Sequence, residues 1–204
     1  MEGGAQTWHY GLIAKWWAEF NDDFRPHEIP YFQRHIEQRG EPALEGGAFG
    51  LGSTREQDVQ SLRRFHEHLQ PGGTLLLDIE VPYADGKLWR HWLKDERAKL
   101  PEVAGRPRSL RPSSDGSELG LRTRIVELDP LAQRVTYEMH AEQWRNGELV
   151  AEEDRLLNIG LYFKGELLLL LEQAGFGDVV VQGDHNDTEA TSDDDFIVFI
   201  AKKR

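Results

Sequence analysis

Gln70-Pro71-Gly72-Gly73-Thr74-Leu75-Leu76-Leu77-Asp78-Ile79-Glu80-Val81 decides how the rest of the chain is read. Proline lacks an N–H and glycine relaxes the backbone, so Pro71-Gly72-Gly73 ends whatever helix precedes it. The nearly continuous apolar run Thr74–Val81 then suits a strand buried on both faces of an α/β sheet. Upstream, Ser53 stands three residues before Glu56, a capping-box spacing that opens a helix to about Leu69. Val59, Leu62, Phe65, His66 and Leu69 form its inward stripe.

Further upstream lies the glycine-rich passage Gly46-Gly47-Ala48-Phe49-Gly50-Leu51-Gly52. Residues 7–21 set Leu12, Trp16, Trp17 and Phe20 at helical spacing, and a second helix is expected from after Pro26 to Gly40. The aromatic residues of the first helix, Trp8 among them, read as core anchors rather than as a cofactor lining.

Downstream, a helix is expected over Lys87–Leu100, and a loop rich in Pro, Gly, Ser and Arg over residues 101–116. Residues 117–128, 132–145 and 148–161 read as three long strands, turning at Asp129-Pro130 and at Asn146-Gly147. Val135, Tyr137, Met139 and Ala141 alternate as one buried face would, so the natural arrangement is an antiparallel meander. A helix over Lys164–Ala174 and strands over Asp178–Gln182 and Phe196–Lys202 finish the chain, with an acidic loop between the strands.

The composition excludes several classes of function. The chain has 204 residues, 39% hydrophobic and 29% charged, enough for one globular domain. A net charge of -12, with no basic run longer than Lys202-Lys203-Arg204, argues against nucleic acid as a partner. The absence of cysteine excludes disulfides, thiolate nucleophiles and thiolate metal sites, and fits a reducing cytoplasm. The start Met1-Glu2-Gly3-Gly4 lacks an apolar signal core, and Leu167–Leu171 is too short to span a bilayer. The chain is therefore expected to be soluble and cytoplasmic, with no membrane partner. The acidic loop Gly183–Asp195 lacks calcium-loop spacing and reads as solvated, so no metal is expected.

Three blocks in order carry a resemblance: Phe65–Asp78, with its Pro-Gly-Gly turn and strand; Glu166–Val181, with Ala174-Gly175-Phe176; and Phe196–Ala201. Together they resemble class I S-adenosylmethionine-dependent methyltransferases, particularly small-molecule enzymes that methylate amino sugars. The resemblance implies an α/β class: a truncated Rossmann-like methyltransferase sheet with N-terminal helices and an inserted three-stranded antiparallel meander. It divides a single domain, residues 1–204, into N-terminal helices at 1–45, an α/β core at 46–100 and 162–204, and an insertion at 117–161.

The same resemblance implies a glycine-rich loop and acidic strand ends that hold S-adenosylmethionine. These belong between the N-terminal helices and the helix opening near Thr54, where only Pro42–Gly52 is found. Gly40–Glu45 is a poor strand, so Gly47–Gly52 is not read as that loop. Ala48–Leu51 aligns instead with the end of the family's fourth strand, which places Phe49 and Gly50 beside the cofactor, with Tyr10 from the first helix. Tyr31, Tyr83 and Trp144 are candidates to touch a small-molecule substrate. Methyl transfer needs an oriented nucleophile and a group to hold its proton, for which Glu80, His140 and His185 are the candidates.

The expected function is thus small-molecule methyl transfer, impaired by the lost cofactor cradle. The alternative is a non-catalytic remnant that binds a ligand or serves as an oligomeric scaffold. Because a shortened sheet exposes an edge, a homodimer is expected.

Overall fold

The computed structural model describes residues 10–20, 27–39, 43–45, 49–105 and 109–204. Trp8 and the Gly46–Ala48 part of the glycine-rich passage lie outside the described residues. The chain divides into two compact units, one of residues 26–90 and 160–204, the other of 1–25 and 91–159.

The first unit is built on the strand read from the Pro-Gly-Gly turn. β1 (Ala43–Glu45), β2 (Thr74–Glu80), β7 (Phe176–Gly183) and β8 (Phe196–Lys203) form a sheet in the order β1-β2-β8-β7. β1 runs parallel to β2, while β8 is antiparallel to both β2 and β7. Every residue of β2 except Glu80 is buried, as its composition demanded. Burying each of its leucines stabilises the fold by about 1.5–3 kcal/mol.

The two faces of this sheet are covered differently. Leu75, Leu77 and Ile79 join Ile197, Phe199 and Ala201 in a core completed by Leu62 of α3 (Arg55–His68) and by Leu167 and Leu171 of α6 (Lys164–Gln173). On the other face Leu76, Val198 and Ile200 meet Tyr31 and Phe32 of α2 (Glu28–Arg39).

Several boundaries differ from expectation. The capping box of α3 is Thr54 with Gln57, one residue beyond the Ser53–Glu56 spacing. Ser53 instead donates its hydroxyl to Asp58. Gly40–Glu45 looked too poor for a strand, yet Ala43–Glu45 is one, and Phe49–Gly50 is a turn rather than a strand end. Pairing with β2 supplies what local propensity lacks. β7 starts two residues early because a bulge between Gly177 and Val180, with Asp178 at φ 47°, carries the chain back into register.

The second unit holds β3 (Arg111–Pro112), β4 (Glu118–Asp129), β5 (Arg134–Arg145) and β6 (Glu148–Gly160) in that order. The three long strands are the expected meander. β3, in what read as a loop, adds a two-residue edge. α1 (Leu12–Phe20) lays Ile13, Trp16 and Phe20 against Leu119, Met139, Ala141 and Leu157. Polar ties hold it there: Lys15 Nζ lies 2.9 Å from Asp115, and Glu19 accepts from Ser113 and Ser114. The expected helix over Lys87–Leu100 is two short ones, α4 (Gly86–Arg90) and α5 (Lys94–Arg97). Leu88 is buried while Trp89 and Leu93 are exposed, so no continuous apolar stripe exists to hold one helix.

Candidate functional site

Asp78 is the one charged residue in the buried stretch of β2, and it faces the side of the sheet that α2 covers. A carboxylate there is costly unless hydrogen-bonded. His185, also buried, brings Nε2 to 3.3 Å from Asp78 Oδ2. The turn presenting His185 is unusual, because Asp184 and His185 both adopt left-handed backbone, at φ 43° and 51°. Non-glycine residues adopt that conformation at an energetic cost, and pairs of them call for an anchor. The anchor is Asp184, whose Oδ1 accepts from the N–H groups of Asp195 and Phe196, each at 2.9 Å.

α2 closes this cluster from above. Tyr31 is 1% exposed and donates its hydroxyl to Gln182 Oε1 at 2.5 Å, with its ring centroid 5.7 Å from that of His185. His35 stacks 4.4 Å from the Tyr31 ring and places Nε2 3.1 Å from Asp187 Oδ1. Arg34 reaches the other oxygen of Asp187 at 3.1 Å. Phe32 and Phe196 complete the ring of aromatic groups around His185. The result is a buried polar layer able to hold a proton or to hydrogen-bond a small polar ligand.

Of the sequence candidates, His185 and Tyr31 are brought together here. Glu80 ends β2 and is exposed, and Tyr83 beyond it is half-exposed, its ring 6.2 Å from that of Trp89. Tyr10 is 73% exposed, so it is not a buried phenol seeking a partner. His140 and Trp144 lie on β5 in the other unit. There His140 sits 2.8 Å from Asp154 and 3.3 Å from Glu142, and Trp144 donates to Glu142 at 2.8 Å. Beside them Arg124 forks onto Glu138 at 2.8 and 2.7 Å, which holds that carboxyl below its ordinary range.

Phe49 and Gly50 belong to a second buried cluster. Gly50 accepts from the Gly160 N–H at 2.8 Å, and Phe49 packs 5.0 Å from the Tyr162 ring. Tyr162 in turn donates to Asp58, and the Arg55 guanidinium lies over its ring at 3.9 Å. Burial first, then the Asp58 carboxylate, raises the phenol well above its usual range.

Sequence reasoning missed Asp78, His35, Gln182 and Asp187. Asp78 carried a signal, since an ionisable residue inside a run buried on both faces needs a partner. The other three carried none, because only the tertiary fold brings them to β2. Among the described residues no three His, Asp or Glu side chains converge as a metal site would require. Likewise, no described helix is long and apolar enough to cross a membrane.

No family model matches the sequence. Nor does any curated protein. Solved structures do match. An S-adenosylmethionine-dependent methyltransferase from Clostridium acetobutylicum ATCC 824 aligns with TM-score 0.50 and 15% identity, over 72% of this chain and 51% of that one. The CcbJ methyltransferase from Streptomyces caelestis aligns with TM-score 0.50 and 15% identity, over 79% and 59%. DesVI of Streptomyces venezuelae aligns with TM-score 0.50 and 17% identity, over 79% and 58%. The fold is therefore class I methyltransferase-like, an α/β Rossmann-like architecture. The chain spans between about half and three fifths of the length of these structures.

Proposed function

We propose that this chain is a methyltransferase-fold protein that binds a small molecule and whose hold on S-adenosylmethionine is impaired. The observation that carries this reading is the sheet order β1-β2-β8-β7. Between α2 and α3 the described residues contain a single strand, β1, three residues long and at the sheet's edge. A cofactor cradle of the kind the resemblance implies needs further strands there, a glycine-rich loop and acidic strand ends. The described residues do not fit it. What remains is the buried layer around Asp78, His185 and Tyr31, toward the carboxyl end of β2, where open α/β sheets bind their ligands. Calorimetry with S-adenosylmethionine and S-adenosylhomocysteine at millimolar concentration tests the reading. No saturable heat is expected, and micromolar binding of either would overturn it.

A second reading, surviving methyl transfer to a small amine or hydroxyl, is favoured by the His185–Asp78 pair. Such a pair suits a group that takes the nucleophile's proton. Methyl transfer by the pure chain, lost in His185→Leu, would support it. A cytoplasmic homodimer is the assembly this proposal carries.

A further inference from the structure

We infer that His185 occupies the buried layer around Asp78 as an internal stand-in for ligand, and that its turn is a latch that withdraws to admit a planar nitrogen heterocycle; this inference rests on the reading of that layer as a small-molecule site. The imidazole is held as a bound ring would be. Its centroid lies 5.7 Å from that of Tyr31 and 5.6 Å from those of Phe32 and Phe196. Tyr31 and Phe32 meet it nearly edge-on, at 77° and 72°, while Phe196 is tilted at 38°. Nε2 stands 3.3 Å from the Asp78 carboxylate. Three aromatic walls and one carboxylate suit a flat ring that carries an N–H. The walls pack on its faces and edges while the acid accepts from its donor.

With His185 in place the layer is sealed. The imidazole side chain is 6% exposed and that of Asp78 2%, so a ligand reaches the acid only if a wall moves. Most of the walls are fixed by the sheet. Asp78 and Phe196 lie in β2 and β8, which pair in unbroken antiparallel register. Tyr31 and Phe32 are packed on Leu76, Val198 and Ile200. His185 rides instead on the turn that follows β7.

That turn has a fixed base and a releasable tip. At the base the Gly183 N–H donates to the Thr188 carbonyl at 3.2 Å, and Asp184 is clamped to Asp195 and Phe196. Between these points His185 holds a left-handed φ of 51°, and an outward flip of this residue relieves that strain. At the tip Asp187 is tied to Arg34 and His35, at 3.1 Å each, with its own side chain 60% exposed. Ion pairs that reach solvent contribute little, so this tie can open while α2 stays packed.

Neutral imidazole is the probe, with methylammonium as a cation that has no ring. His185→Gly vacates the cage and is expected to bind imidazole saturably in calorimetry, ~100-fold more tightly than wild type, while leaving methylammonium unbound. Asp187→Ala keeps His185 but frees the turn, and is expected to bind imidazole ~10-fold more tightly than wild type. Asp187 is exposed, so this variant is expected to fold even if His185→Gly does not. Hydrogen exchange at the amides of His185, Asn186 and Asp187 should quicken when imidazole is added to Asp187→Ala. A folded His185→Gly that binds no imidazole would overturn the inference and the reading of this layer as a ligand site together. Imidazole binding by His185→Gly with unchanged affinity in Asp187→Ala would overturn the latch alone. Equal binding of methylammonium would overturn the heterocycle as the ligand class.

Discussion

The hydroxyl of Tyr162 donates to Asp58 Oδ2 at 2.5 Å, joining two buried side chains 104 positions apart in the sequence. One stands in the first turns of α3, the other just ahead of α6, and both helices pack on the same face of the sheet. The bond therefore fixes how these two helices share that face. Tyr162→Phe leaves Asp58 buried with one donor fewer and is expected to cost about 1–3 kcal/mol in urea unfolding.

The same pair sets an alkaline limit. Because burial and Asp58 raise the Tyr162 phenol in the folded state, unfolded chains ionise it first as pH rises. The stability it contributes is full below the ordinary tyrosine range and is lost on going above it. The phenolate absorbance of wild type minus that of Tyr162→Phe should develop only above that range. Ionisation alongside ordinary tyrosines would show the bond to be absent.

Asp78 and His185 form a buried hydrogen-bonded pair that is poorly tolerant of single changes. Removing His185 takes a hydrogen-bond partner from a buried carboxylate, so His185→Leu is expected to destabilise by about 1–3 kcal/mol. The double variant Asp78→Leu/His185→Leu should recover most of that loss. Additive losses in the double-mutant cycle would mean the two groups are not coupled.

Glu153, on the edge strand β6, accepts from the Leu12 N–H at the start of α1. Burial opposes its ionisation, but the bond from Arg155 and those from the backbone of Leu12 and Ile13 outweigh it and lower its pKa. A depressed carboxylate contributes stability above its unfolded pKa, lost as pH falls through the folded value. Glu153→Gln is expected to cost about 1 kcal/mol near neutrality and to flatten the acid limb of the stability curve. Hydrogen exchange at Leu12 and Ile13 reads the effect directly, and unchanged protection would exclude the cap.

Gly50 and Gly116 separate two reasons for conserving backbone freedom within one molecule. Both have left-handed φ, 79° and 77°, but a side chain at Gly116 would meet open space. At Gly50 it would meet the Gly160 carbonyl and the Tyr162 ring, both at 3.2 Å. Gly116→Ala is expected to cost about 1–2 kcal/mol from backbone strain alone. Gly50→Ala should cost measurably more in the same thermal melt, and equal losses would show that the close approach at Gly50 is relaxed away.

The sheet was legible because burial on both faces leaves a compositional mark, as in Thr74–Val81, and because Asn146-Gly147 admits few conformations other than a hairpin turn. The site was legible only in part. Tyr31 and His185 could be suspected from residue type, but their meeting depends on α2 folding across β2 and β8, a long-range event with no local signal. β1 was hidden for the same reason, since its three residues become a strand only by pairing with β2.

The nesting of the two units has a consequence for biosynthesis. α1 leaves the ribosome early, yet its buried face is completed by the meander, and its ion pair partner Asp115 lies 100 residues later. At ordinary elongation rates that gap is about 5–20 s. Throughout it Ile13, Trp16 and Phe20 have no native surface to cover them. A nascent chain stalled before β5 should therefore present this helix to chaperones, and release it once the meander closes.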